Sequence, residues 1–321
     1  MINPMGIKLL NKYIKNDWRD IADVCSFKKL KGKKICVDIY NYIYTFLGDN
    51  RLIEDLSKLC YIMHKNNIHC LFVFDGKYIE EKKFEYERRN KNRLAADKKY
   101  NKLIKIKTDT KKETLMLKKK LRKVNRDRVK LTKWDIVDAK NCLDACGMKY
   151  MIANGEAEEL CAELVLKKKV YACMSEDTDL FAYGCTNIIK CINIRKETFI
   201  MYNIERLLDY YDITLNNFKN ICSLSSNDYY KGKNNKHFIY YFKLYKRYLN
   251  DNRNSFMEWI KENNFITDDE FVCFGKNKQL YDLSNKNVLD GYKYIVIRNS
   301  KYDKKSVLKL VDMRNYYLSC H

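Results

Sequence analysis

Residues 154–180 read NGEAEELCAELVLKKKVYACMSEDTDL. Glu156 and Glu158 open this stretch, and Ala157, Leu160, Cys161, Leu164 and Val165 follow the spacing of one buried helical face. Lys167, Lys168 and Lys169 close the pattern, as cations suit a helix C-terminus. Val170–Met174 is then an apolar run of strand length, and Glu176, Asp177 and Asp179 come directly after it. A helix that begins with acids and a strand that ends with them point both sets the same way. In an open α/β sheet that place, beyond the carboxyl ends of the strands, is where ligands bind. Two readings stand side by side. The acids complement a helix dipole and cap the next helix, or they hold a divalent cation that relieves their mutual repulsion. Oxygen ligands of this kind suit Mg²⁺ or Mn²⁺.

The chain around this stretch has 321 residues, 46% of them hydrophobic, which is enough for a sizeable core. Its formal net charge of +22 points to a polyanion, most simply nucleic acid. The 13 cysteines contain no C-x-x-C pair and sit singly in apolar runs such as Ile35–Cys36–Val37. They read as reduced core residues of an intracellular protein, and with four histidines at no ligand spacing they argue against zinc. No run of about 18 apolar residues and no signal peptide is visible, so a membrane span is not expected.

Upstream, Lys33–Ile39 and His69–Asp75 are strand candidates, each with an acid at its carboxyl end, Asp38 and Asp75. Arg51–Asn66 between them is helical, which makes a β-α-β unit with buried parallel strands. Met5–Leu10 opens a short helical pattern. Residues 77–133 change character, with 23 Lys and Arg against 8 Asp and Glu and no Gly or Pro from Lys82 to Lys133. Such a segment predicts long basic helices projecting from the body; a solvated linker is the alternative, and the one-signed charge favours nucleic-acid contact. Trp134–Gly147 returns to amphipathic helix, and Lys149–Ala153, Asn187–Ile194 and Phe199–Met201 are further strands. Phe218–Leu224, His237–Leu249 and Ser255–Asn264 read as helices. The tail from Thr267 carries no clear pattern.

Five segments in order, MGIKLL, VDIYNYIY, VFDGK, the stretch quoted first and ICSLSSNDY, resemble the flap endonuclease family of structure-specific 5′ nucleases, in the PIN-like superfamily. The likeness runs from Met5 to about Tyr229. It implies an α/β PIN-like domain with a central, mostly parallel sheet flanked by helices, plus a basic helical arch. The nuclease domain would span 5–232, as an N-terminal region 5–76, the arch 77–133 and an internal region 134–232, with a helical and mixed C-terminal region 233–321 packed on it. Carried over by position, Asp38, Asp75, Glu156 and Glu158 would form one metal site. Glu158, Asp177, Asp179 and Asp228 would form or support a second, with two Mg²⁺ (or Mn²⁺) as cofactors. Lys82 and Arg89 match the family's scissile-phosphate cations, with Arg88 beside them as a DNA contact, and Tyr44 matches an aromatic that stacks on an unpaired terminal base.

The implied function is metal-dependent cleavage of DNA at 5′ flaps, nicks or junctions, with 5′–3′ exonuclease activity. A Holliday-junction resolvase and an inactive nucleic-acid-binding scaffold are the alternatives. The Lys- and Asn-rich usage suggests a divergent, large-DNA-virus member, acting in the nucleus or in a cytoplasmic replication factory. Two departures stand out. The family's Gly-rich, potassium-binding duplex grip is replaced by Tyr229–Lys236, where Lys231, Lys233 and Lys236 would take over the DNA contacts. Near the C-terminus, Leu310, Met313, Tyr316 and Tyr317 resemble a sliding-clamp-binding box with Leu in the usual Gln place; an ordinary amphipathic terminal helix explains the same pattern and is favoured.

Overall fold

A computed structural model of the chain describes residues 6–76, 83–227, 236–251, 255–284, 288–291 and 299–320. Seven strands form one sheet: β1 (Ala22–Ser26), β2 (Lys34–Asp38), β3 (His69–Phe74), β4 (Lys149–Ile152), β5 (Ala172–Met174), β6 (Asn187–Asn193) and β7 (Thr198–Asn203). Their order across the sheet is β1-β7-β6-β5-β2-β3-β4. The five strands from β6 to β4 run parallel, and β6, β7 and β1 are joined antiparallel. The expected β-α-β unit is present, with helix Leu52–Lys65 between β2 and β3 and Asp38 level with Val73.

The sheet alternates its side chains between two cores, as the two-residue strand period requires. Ile35 and Val37 enter one core and Cys36 the other, and β3 divides in the same way. Helices Tyr40–Gly48, Leu52–Lys65 and Lys133–Ala145 cover one face. Helices Ala157–Leu166, Ile204–Tyr211, Leu215–Leu224 and Phe238–Tyr248 cover the other. The second core also takes in Phe256, Trp259, Phe274 and Tyr281, so the C-terminal third adds to the same packed body.

Two expectations about local structure change. The helix expected from Met5 starts at Leu10, because Gly6 and Leu9 adopt positive φ of 79° and 66° and bend the chain first. The strand β1 was not legible, because only Ala22 and Cys25 of ADVCS are buried, which is neither an alternating nor a continuous apolar pattern.

The arch is two helices, Lys83–Leu103 and Lys111–Arg128, the second opened by a capping box between Thr110 and Glu113. Arg128 donates to Asp97 across the pair at 2.8 Å and lies 4.2 Å over the Tyr100 ring. The base of the arch is fastened to helix Tyr40–Gly48. Arg126 makes two hydrogen bonds to Asp49 (3.1 and 2.6 Å), and Asn125 donates to the Gly48 carbonyl at 2.7 Å. Gly48 permits that approach, since a Cβ there would lie 2.7 Å from the Arg126 Cα.

Helix Lys304–Cys320 docks on the first core, where Leu310 and Val311 pack. Arg314 ties it to Asp135 at 2.8 Å and to Asp138. Just before it, Asn299 accepts from the Cys70 N–H (3.1 Å) and donates to the Ile68 carbonyl (2.7 Å), closing the amino end of β3. Among the described residues, no helix is long and apolar enough to cross a membrane.

Candidate metal centre

The carboxyl ends of β2, β3 and β5 lie along one edge of the sheet, and the acids collect there. Asp38 is the last residue of β2, and Asp75 directly follows β3. Asp75 accepts from the Ala157 N–H at 2.9 Å, so it caps the helix that starts with Glu156 and Glu158. Glu156 is the extended N-cap residue of that helix, and Glu158 stands in its first turn. Residues two apart diverge in mid-helix. At this boundary both acids are buried on the same edge.

Asp177 and Asp179 reach the edge by a different route from the one their spacing suggests. An Asp-x-Asp pair on a strand would share a face, but β5 ends at Met174 and the pair lies on the turn into helix Asp179–Tyr183. The turn is fixed from within. Asp177 donates its N–H to the Ser175 hydroxyl at 3.0 Å, and its carboxylate accepts from the Asp179 N–H at 2.9 Å. The Ser175 hydroxyl also donates to Asp38 at 2.7 Å, and the Asn41 amide adds a second hydrogen bond to that carboxylate at 3.2 Å. From above, the Ile7 N–H donates to the Thr178 hydroxyl at 2.9 Å. Gly6 passes so close that a Cβ would overlap carboxylate oxygens of Asp177 and Asp179.

The outcome is a packed set of oxygens. Glu158, Asp177 and Asp179 bring carboxylate atoms within 4.8 Å of one another, and all three residues are buried. Burial pushes the Asp38 carboxyl well above the usual carboxylate range, and the neighbouring Asp75 charge pushes it the same way. An all-carboxylate donor set of this kind fits a hard divalent cation and suits neither Zn²⁺ in a thiolate site nor Cu⁺. Behind it, Cys36, Cys161 and Cys173 also bring their sulfurs within 4.8 Å of one another. All three are buried free cysteines, in line with the reduced-core reading, and burial raises the Cys36 and Cys161 thiols well above their ordinary range.

Arg89 lies on the first arch helix and Tyr44 on helix Tyr40–Gly48. Burial raises the Tyr44 phenol; the Arg89 guanidinium opposes that rise and Asp75 adds to it, which sets Tyr44 within electrostatic reach of both arch and acids. Arg88 is exposed on the same helix. An open cleft of about 1450 Å³ runs between arch and body, lined by Lys12, Lys15, Lys58, Arg122, Lys123 and Arg195 among others. Asn41, which donates to Asp38, and Glu176 line it too.

Other expected site residues fall elsewhere. Lys236 turns inward, donating to the Phe265 carbonyl at 2.8 Å and to buried Glu270 at 3.0 Å, so its ammonium serves the packing of helix Asp268–Leu280 and not an open DNA surface. Leu310 packs against the core, and Met313 is exposed beside it. Lys82, Asp228, Lys231 and Lys233 lie outside the described residues, as do the side chains of Tyr316 and Tyr317.

Sequence reasoning passed over three supports of the site. Tyr40 stands beside Asp75, and burial with that charge pushes its phenol up to about 12. Ser175 bridges Asp38 and Asp177. Lys190 is buried in β6 behind the Asp177 turn, donating to the carbonyls of Glu176 (2.7 Å) and Asp177 (2.9 Å). Only Lys190 left a signal, as a lone lysine inside the apolar run NIIKCIN.

Comparison with known proteins bears on the family and the fold. The family model of the XPG N-terminal domain matches residues 5–96, and that of the XPG I-region matches residues 147–228. Flap endonuclease 1 of Saccharomyces cerevisiae is 30% identical over 244 residues, which are 70% of this chain and 61% of that protein. The chain thus spans about three fifths of the length of that relative. Flap endonuclease 1 of Candida dubliniensis is 30% identical over 278 residues, 81% of this chain and 72% of that protein. Among solved structures, the catalytic core of Rad2 in complex with DNA substrate superimposes with a TM-score of 0.65 at 19% identity, covering 96% of this chain and 95% of that one. Flap endonuclease-1 from Methanococcus jannaschii gives 0.57 at 21% identity, covering 97% and 100%. Human GEN1 in complex with Holliday junction DNA also gives 0.57, at 14% identity, covering 97% and 74%. These structural likenesses show the α/β fold.

Proposed function

The chain belongs to the XPG and flap endonuclease family of structure-specific nucleases, and from that premise we propose that it hydrolyses DNA phosphodiester bonds where a 5′ flap branches from a duplex. The products would be 5′-phosphate and 3′-hydroxyl ends, with 5′–3′ exonuclease activity on the same site. The observation that most supports this reading is the collection of buried carboxylates at one sheet edge, with Glu158, Asp177 and Asp179 within 4.8 Å of one another. Asp38, Asp75 and Glu156 would hold one divalent cation, and Glu158, Asp177 and Asp179 a second. When bound, such a pair of ions lowers the pKa of water and stabilises attacking and leaving oxygens.

The chain's own side chains supply orientation and charge. Asp38 is held in place by Ser175 and Asn41, so its oxygens are aimed before any ligand arrives. Arg89 brings a permanent cation to the mouth of the site, where phosphate charge needs an opposite partner. Tyr44 offers a ring on which an unpaired terminal base can stack. The cleft lined by lysines and arginines tracks a backbone leading to this point. Glycine at position 6 lets the N-terminal segment close over the carboxylates without a side chain in the way.

A substrate panel tests the reading. Protein with Mg²⁺ is incubated with labelled 5′-flap, nicked, blunt duplex, four-way-junction and RNA substrates. Cleavage of the flap at its base, dependent on Mg²⁺ and replaced by Mn²⁺, is the expected result. Cleavage of the four-way junction alone would move the activity to junction resolution, and no cleavage of any substrate would leave a binding scaffold.

A further inference from the structure

Lys190 is 1% exposed, with its ammonium committed to two main-chain carbonyls, those of Glu176 and Asp177 at 2.7 and 2.9 Å. Burying a lysine this deeply is costly unless the charge is used. Neutral carbonyls need only a donor and do not themselves call for a charge. The lysine brings an ammonium to the underside of the turn that carries Asp177 and Asp179. Burial lowers the Lys190 pKa below the usual lysine range, and the nearby Glu176 and Asp177 charges oppose that shift.

The surrounding backbone is shaped around this contact. The β6–β7 register shifts between Lys190 and Asn193, and Cys191 adopts a positive φ of 53°. The irregularity turns the Cys191 N–H onto the Glu176 carboxylate at 2.6 Å. The turn is therefore gripped from β6 at two adjacent residues, while Ser175 ties it to Asp38 on the other side.

We propose that Lys190 is a positioning residue for the metal-binding carboxylates. It fixes the Glu176–Asp177 backbone, so that Asp177 and Asp179 converge on Glu158, and its charge offsets part of the repulsion among the acids before a cation binds. Lys190 touches neither substrate nor cation; it acts through Asp177. The proposal rests on reading the carboxylate group as a divalent-metal site.

The test compares Lys190→Met, Lys190→Gln and Lys190→Arg with the wild type. Two quantities are read: the Mg²⁺ concentration giving half-maximal cleavage, and the rise in Tm produced by Mg²⁺ or Mn²⁺ alone. Loss of a group that orients metal ligands costs roughly 10–100-fold in metal affinity. The Met and Gln variants are expected to need at least ~10-fold more Mg²⁺ and to lose most of the metal-induced rise in Tm. The Arg variant keeps charge and donors and should stay within about threefold of wild type. Gln keeps a donor and supports the fold if Met does not, so it separates charge from packing. A metal-induced rise in Tm and a Mg²⁺ midpoint unchanged in the Gln variant would overturn the proposal. A wild type whose Tm does not respond to Mg²⁺ or Mn²⁺ would instead overturn the metal-site reading beneath it.

Discussion

The carboxylate edge and the basic arch carry opposite charge and are held by opposite means. At the edge, Asp38, Glu158, Asp177 and Asp179 are all buried, and backbone N–H groups, Ser175 and Asn41 fix the carboxylates. In the arch most charged side chains face solvent, and the described arch helices bury only Ala96 and Val124. The edge is a site made before its ligand arrives. The arch is a scaffold of cations fastened at its base, where Arg126 meets Asp49 and Asn125 donates to the Gly48 carbonyl. A preformed site places atoms, and an exposed cationic surface gathers a polyanion without fixing its position. The molecule gives each task to a different part.

The comparison breaks most visibly at Asp179. Asp179→Ala should lower the cleavage rate at least ~10³-fold while leaving DNA affinity within a fewfold, because the proposed function gives the chemistry to the edge and the capture to the arch. Binding by fluorescence anisotropy in Ca²⁺ or EDTA, set beside single-turnover cleavage in Mg²⁺, separates the two. A variant that cuts normally would remove Asp179 from the site.

A smaller effect is expected from the arch. Replacing Lys118, Lys119 and Lys120 together by Gln should weaken DNA binding by roughly 10-fold at about 0.1 M salt. It should also flatten the slope of log affinity against log salt by about the number of phosphate contacts removed. The Mg²⁺-induced rise in Tm should not change. Anisotropy titrations at several salt concentrations provide the check, and an unaltered slope would take these lysines off the path of DNA.

The smallest expected effect sharpens the boundary between the two regions. Arg126→Ala removes the two hydrogen bonds to Asp49, a partly exposed pair of the kind that contributes about 1 kcal/mol or less. Global stability should fall by no more than that. Proteolytic nicking of residues 83–128 should rise, and flap cleavage should fall by about threefold to 10-fold at saturating Mg²⁺, consistent with looser substrate placement. Equal nicking in wild type and variant would mean that the arch is held by its other contacts.

How far each region was legible follows from the same difference. The edge depends on single residues at the ends of runs, and Asp38 and Asp75 ending apolar strands can be read directly. So can Glu156 and Glu158, whose place at a helix start lets two acids converge. Asp177 and Asp179 were legible as site residues but not in their geometry, because nothing in SEDTD distinguishes a strand end from the turn that Ser175 and Lys190 hold. The positive charge of the arch was legible as composition. Its fastening was not, since Asp49 and Arg126 are 77 residues apart and each resembles any surface charge. Lys236 misled because a lysine inside a lysine-rich segment reads as surface, and the buried Glu270 that captures it lies in a helix whose pattern was obscure. β1 was silent because only two of its five residues are buried.

Asn299 bears on how the protein is made. Its two hydrogen bonds reach back across 229 and 231 residues to the amino end of β3. Ser300 and Asp303 meanwhile bind the main chain at Gly147 and Ala145, at 2.7 and 2.8 Å. During synthesis β3 emerges well before Asn299, which follows Cys70 by 229 residues. Contacts that close so long a loop carry a higher closure cost than local ones and form after them. The amino end of β3 is therefore completed by a segment far from it in the chain, after the local β-α-β contacts that surround it.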